Sequence, residues 1–336
     1  MASGVTGGPR AWASALPLVL SLWGVGLPAQ AGLPEWAACP TPPPAPAAVL
    51  DTHLQLAALI QQEWQRAGAP VALIARSGLN LRSIGHRYSH AGFLRPGPTV
   101  APAEPQARTA SVQATDPATD PATDPAAPAA VRQLYFDCPT ARPRVFDEGL
   151  AGFVRGVDAG ALPRLSTVWW PPDEAPVLAR AVADDALAVT LLSPHYQAQA
   201  HVWSLQSQNC NQWLVEMLAA AFGGARDRPA AQQWLRDQGY SGSVVQLPWV
   251  GWLLAAAVWP HMGLRDHPTR DLQALQLEVS MPASVEHFVR ARWPRAQRVE
   301  WCLRDREVVV RRSWTPLDEA CTAGPQDERV PLAGPP

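Results

Sequence analysis

The chain contains no lysine: all 27 of its basic residues are arginine. The arginines are scattered, and against 29 acidic residues they leave a formal net charge of −2. That balance removes the electrostatic argument for nucleic acid or an anionic membrane as a partner. The missing lysine reads as genome composition rather than function. There is no Cys-x-x-Cys pair, so the usual zinc frameworks are absent. Neither a Gly-x-Gly-x-x-Gly nor a phosphate-binding loop occurs, and no Gly-x-Ser-x-Gly elbow. His86 and His90 form a lone His-x-x-x-His pair, which suits a metal only on a helix. Here it enters a strand, where four residues span about 13 Å, too far to share an ion. His261 and His267 are too isolated to argue as ligands. No metal or cofactor is therefore expected. The most apolar stretch of the later chain, 249–259, is too short to span a bilayer comfortably and is bounded by Pro248 and Pro260. It reads as a buried helix.

What is present points to an exported globular protein. A hydrophobic share of 47% supports a packed core, and 15 tryptophans suggest one pinned by large rings. Arg10, the apolar run 13–27 and Ala29-Gln30-Ala31 have the form of a signal peptide cleaved after residue 31. An uncleaved anchor is the alternative, weakened by the shortness of the run and by Pro17. Cleavage would put the mature chain in the periplasm or outside the cell, with no stable membrane span. Five cysteines in an oxidising compartment leave one over after pairing. Of the three ways to pair Cys39, Cys138, Cys302 and Cys321, Cys302 with Cys321 and Cys39 with Cys138 is preferred. Cys210 is then the free thiol.

Periodicity predicts helices over 50–67, 147–158, 176–188, 228–238 and 285–293, with strands over 71–76, 88–94, 131–136, 165–170 and 275–279. Strand-like composition runs through 299–311, and 202–205 is extended. Residues 96–130, with Ala-Thr-Asp-Pro three times in succession, have too few large apolar groups to offset their ordering entropy. They read as a disordered insertion. It divides a first part of the domain, 32–95, from the remainder, 131–317; a flexible tail, 318–336, closes the chain.

The chemistry gathers at Gln208-Asn209-Cys210-Asn211-Gln212-Trp213. Trp213, Leu214, Met217, Leu218 and Ala221 fall at helical spacing, with Asn211 and Glu216 off the stripe. Asn209 is a suitable N-cap. A thiol in the first turn meets the positive end of the helix dipole, which favours the thiolate. Cys210 is also in phase with the apolar stripe, so plain core packing stands beside this reading. His90 lies in a strand candidate before two small residues and is the best-placed base. Gln133, on the following strand candidate, is positioned to orient its imidazole.

Tyr88-Ser89-His90-Ala91-Gly92, Gln133-Leu134-Tyr135-Phe136-Asp137-Cys138, Glu148-Gly149-Leu150-Ala151-Gly152-Phe153, Asn209-Cys210-Asn211-Gln212-Trp213 and Asp266-His267-Pro268 resemble segments of domain-of-unknown-function family 2145, a group of exported bacterial proteins. The order His, polar residue, Cys is similar to the circularly permuted NlpC-type branch of papain-like proteins. That resemblance implies an α+β fold in which the helix carrying Cys210 packs on a small antiparallel sheet. It also implies Cys210 as nucleophile, His90 as base and Gln133 as orienting residue. The expectation is a thiol hydrolase or acyltransferase acting on an amide or ester of a cell-wall peptide or lipid. The rival is a non-catalytic periplasmic binding or assembly protein.

Overall fold

The computed structural model describes residues 45–97, 128–138, 140, 142–156, 162–246 and 264–334. The expected signal peptide, nearly all of the 96–130 insertion and the 249–259 helix lie outside these residues.

In chain order the elements are α1 (Ala47–Ala67), β1 (Ala72–Arg76), a 3-10 turn at Arg82–Ile84, β2 (His90–Pro96), β3 (Ala129–Asp137), β4 (Arg142–Gly149) and α2 (Leu150–Arg155). Then come β5 (Arg164–Trp169), α3 (Ala175–Ala183), α4 (Asp185–Thr190), β6 (His195–Tyr196), β7 (Ser207–Gln208), α5 (Cys210–Gly223) and α6 (Arg228–Asp237). The chain continues through β8 (Ser243–Gln246), α7 (Thr269–Gln273), β9 (Gln276–Val279), α8 (Pro282–Arg292), β10 (Gln297–Arg304), β11 (Glu307–Arg311) and β12 (Glu328–Pro331).

Eight strands form one sheet in the order β12-β11-β10-β5-β1-β2-β3-β4, antiparallel throughout. The sheet is thus α+β and antiparallel as expected, but it is large rather than small. β1 sits inside it, paired with β2 and β5, and is buried along its whole length. Its alternation serves two cores at once. Leu73 and Ala75 join the cluster of α5, whereas Ala72 and Ile74 join the cluster of α1. On the second face Leu56, Ile60 and Trp64 of α1, spaced by one turn, meet Phe153 of α2 and Trp301 of β10. Gly68, at φ 59°, ends α1 in the left-handed conformation that glycine adopts without steric cost.

On the first face α5 is buried from Cys210 to Ala220, enclosed by β2, β3, α3, α6 and α8. A helix covered all round carries no polar face. Asn211 and Glu216, expected off the apolar stripe, are therefore also buried, and each has its own hydrogen-bond partners.

Several boundaries differ from expectation for local reasons. The helix expected over 147–158 is instead the end of β4 followed by α2, with the switch at Gly149. The helix expected over 176–188 breaks at Asp184, whose side chain accepts from the Leu187 amide and caps α4. The 299–311 stretch is a hairpin, turned by Asp305 and Arg306 at φ 49° and 60°. The tail expected to be flexible from 318 carries β12, which pairs with β11. It is tied further by the Cys302–Cys321 disulfide and by Arg311 Nε donating to Asp327 over 2.8 Å. Cys138 is also disulfide-bonded; Cys39 lies outside the described residues.

Gly92 lets β3 come close to β2. A Cβ there would sit 2.5 Å from Val131 Cγ1 and 2.9 Å from the Arg132 carbonyl oxygen. Gly92→Ala is expected to lose about 1–3 kcal/mol, the usual cost of overpacking. A urea denaturation midpoint matching wild type would contradict this close approach.

Candidate functional site

The residues around Cys210 are held from both sides. Asn209 Oδ1 accepts from the Gln212 amide at 2.8 Å, the N-cap bond expected from the sequence. Its Nδ2 donates to the carbonyls of Ala198 and Ser280, and Asn211 Nδ2 donates to the same Ser280 oxygen at 3.1 Å. One residue upstream, Gln208 accepts from the Ser193 amide and donates to Leu191 O and Glu216. Little freedom is left to the backbone that presents the thiol.

The structure brings all three sequence-predicted residues together. His90, the first residue of β2, lies opposite Arg76 in the β1–β2 pairing. Its Nδ1 is 3.1 Å from Cys210 Sγ, and its Nε2 is 2.5 Å from Gln133 Oε1 on β3. Gln133 in turn donates from Nε2 to Glu148 Oε2 on β4 at 2.7 Å. The imidazole is wedged between the edge of Tyr135, with centroids 5.2 Å apart, and the tilted ring of Phe153 at 5.9 Å.

Four groups that sequence reasoning did not assign to the site surround the sulfur. Tyr196 and the Ala91 and Asn211 amides are close enough to bear on its ionisation. The Arg76 guanidinium is close enough to interact electrostatically with Cys210, Tyr135 and Glu148, and lies 5.1 Å from the Phe153 ring centroid. Gly156 makes room for it, since a Cβ there would lie 2.4 Å from Arg76 Cζ. Arg76 carried little sequence signal, because it reads as the polar end of an apolar strand. Tyr196 is in a two-residue strand too short for any periodicity. Glu148 was visible only inside a segment resembling the family.

Burial dominates the electrostatics. Cys210 is 3% exposed and His90 6%. Desolvation pushes the thiol up to about 11, despite the amides, Arg76 and Tyr196 that favour thiolate. Desolvation, then the nearby Arg76 charge, pushes His90 down to about 3, against the Gln133 bond. The expected helix-dipole stabilisation of thiolate is thus outweighed, and the resting pair is neutral thiol and neutral imidazole. A surface cleft lined by Asn80, Arg82, Arg87, Arg164 and Glu319 does not have Cys210 among its walls.

Among the described residues no group of three His, Cys, Asp or Glu side chains is placed to hold a metal ion. His86 follows the 3-10 turn, is half-buried and lies just before β2 rather than in it. His201 and His267 pack edge to face, with centroids 5.3 Å apart; His261 lies outside the described residues. Among the described residues Cys210 is the free cysteine, and no helix is long and apolar enough to cross a membrane.

The sign of the pH dependence follows from these shifts. Below the ordinary imidazole value of 6.5 the unfolded chain takes a proton that folded His90 refuses until about 3. Stability is therefore lost as pH falls through that window. His53, His86 and His201, all lowered chiefly by burial, act in the same direction. At the other end, the unfolded thiol ionises near 9 while folded Cys210 holds its proton to about 11, so stability falls as pH rises between them. Denaturation series should show a shallower acid limb in His90→Asn and a shallower alkaline limb in Cys210→Ser. Limbs parallel to wild type would contradict the buried neutral pair.

Neither the curated proteins nor the solved structures yield a match to this chain. A family described as an uncharacterized protein conserved in bacteria (DUF2145) matches residues 63–289, more than half of the 336. That span contains Arg76, His90, Gln133, Glu148, Tyr196 and Cys210. By that match the chain belongs to this bacterial family, whose activity its description leaves open.

Proposed function

We propose that the protein is an exported thiol hydrolase or acyltransferase that cleaves or transfers an amide or ester, with Cys210 as nucleophile, His90 as base and Gln133 as orienting residue. The observation that carries this reading is the 3.1 Å approach of His90 Nδ1 to Cys210 Sγ while the other ring nitrogen is held by Gln133. The thiol proton passes to Nδ1 as sulfur attacks the carbonyl carbon. Collapse of the tetrahedral adduct returns that proton to the leaving amine or alcohol and leaves a thioester on Cys210. Water, or an acyl acceptor, then attacks the thioester with His90 again taking the proton. Arg76 and the Asn211 amide offer positive potential where charge develops on sulfur. The neutral resting pair fits a proton transfer that accompanies attack rather than a preformed ion pair. The signal-like N-terminus supports a periplasmic or secreted location, and the resemblance of the His, polar residue, Cys order to the permuted papain-like branch supports a cell-wall peptide or lipid as substrate.

A second reading rests on the 3% exposure of Cys210. In it the protein binds or assembles without chemistry, and the thiol is packing. The two readings divide on access, because a substrate must reach a sulfur that is almost fully buried.

A thiol-directed electrophile should label wild type at Cys210 and leave Cys210→Ser unlabelled. His90→Ala should label about a hundredfold more slowly, within the usual range for loss of a general base. Tyr196→Ala should label faster than wild type. Equal labelling of Cys210→Ser, or a wild-type rate in His90→Ala, would sink the hydrolase reading. A folded wild type and Tyr196→Ala that both stay unlabelled would remove the hydrolase reading and favour the non-catalytic one.

A further inference from the structure

We propose that Glu148 is a positioning residue that fixes the amide orientation of Gln133 and through it the tautomer of His90, leaving Nδ1 as the bare nitrogen that faces Cys210. The argument is one of donors and acceptors along a single line. A carboxylate accepts hydrogen bonds and donates none. Gln133 must therefore turn its NH2 toward Glu148, 2.7 Å away, which leaves its oxygen toward His90. An amide oxygen only accepts, so across the 2.5 Å contact the hydrogen belongs to His90 Nε2. A neutral imidazole carries one such hydrogen, so Nδ1 keeps its lone pair for the thiol 3.1 Å away.

Without the carboxylate, Gln133 has no reason to prefer this orientation. Its side chain is nearly isosteric on a half-turn, and at 1% exposure no bulk water can decide the matter. The reversed amide would present NH2 to Nε2 and drive the hydrogen onto Nδ1. An N–H would then face the sulfur and could not take its proton. The frame holding Glu148 supports the assignment. Val131 and Glu148 are directly paired between β3 and β4, which places Gln133 on the same face one diagonal away. Gly152 leaves the space its carboxylate fills, since a Cβ there would lie 2.6 Å from Glu148 Oε1.

The chemical consequence rests on the hydrolase reading, but the tautomer does not. It is read by long-range 1H–15N correlation NMR of histidine-labelled protein at neutral pH, with the His90 signals identified as those missing from His90→Ala. Wild type is expected to show Nε2–H alone. Glu148→Gln, whose amide can donate or accept, is expected to show both tautomers and to lose at most about twofold in Cys210 labelling, as two near-equal populations imply. Glu148→Lys, which only donates, is expected to show Nδ1–H and to label as slowly as His90→Ala. Nδ1–H in wild type, or Nε2–H unchanged in both variants, overturns the proposal. If far-UV circular dichroism shows that Glu148→Lys has unfolded, the isosteric Glu148→Gln decides alone. Tautomers that shift in the variants, while wild type and Tyr196→Ala take no electrophile, keep the role of Glu148 and remove the hydrolase reading. Probe uptake with unchanged tautomers does the reverse.

Discussion

Glu216 lies in the middle of α5 with no solvent exposure and accepts four side-chain hydrogen bonds: one from Gln208, two from Arg228 and one from Gln232. Taking a carboxylate and a guanidinium out of water costs several kcal/mol each, offset only where the geometry is good and the remaining hydrogen-bonding positions are filled. Arg228 fills its own with the carbonyls of Ser204, Leu205 and Ser207, in the loop that leads into Cys210. One buried pair thus clamps α6 to α5 and both to the segment that leads into Cys210. Removing either partner leaves a charge without water or a counter-ion, the costliest kind of single change in a core.

The clamp explains how two layers meet at one point. Cys210 belongs to the helical layer, whereas His90, Gln133 and Glu148 arrive on three successive strands of the sheet. Antiparallel neighbours bring side chains from different strands within hydrogen-bond reach, so a line of partners can run across the sheet without any of them being near in sequence. The helix contributes a single atom to that line, and everything that pins Asn209 and Asn211 to Ser280 serves to keep it there.

The meeting of Cys210, His90 and Gln133 was legible in the sequence through their order, which resembles that of permuted papain-like proteins; Cys210 alone is equally in phase with the apolar stripe. Arg76 was not legible, since nothing in Val71 to Arg76 tells a buried guanidinium from a solvated strand end. The central strands read well from apolar runs. β4 did not, because an edge strand carrying Arg142, Pro143, Arg144, Asp147 and Glu148 is mostly polar and shows little alternation of burial. β12 is four residues long and largely exposed, with its place set by pairing to β11 rather than by its own hydrophobicity. The ionisation of Cys210 was misjudged for a related reason. Helix position is local and readable, but desolvation depends on every element packed around the sulfur.

The hairpin of β2 and β3 has one more consequence. Gly97 donates its amide to the Pro128 carbonyl at 2.8 Å, closing the ladder on either side of residues 98–127. That closure sits at the far end of β2 from His90, about 20 Å along the strand. The two strands keep their register through their own pairing, whatever length of chain joins them, and the entropy of a longer join grows only logarithmically. Insertions and deletions between residues 97 and 128 can therefore accumulate without moving the imidazole relative to Gln133. The hairpin's outer end is a place where this chain can change in length and composition while the inner end stays constrained.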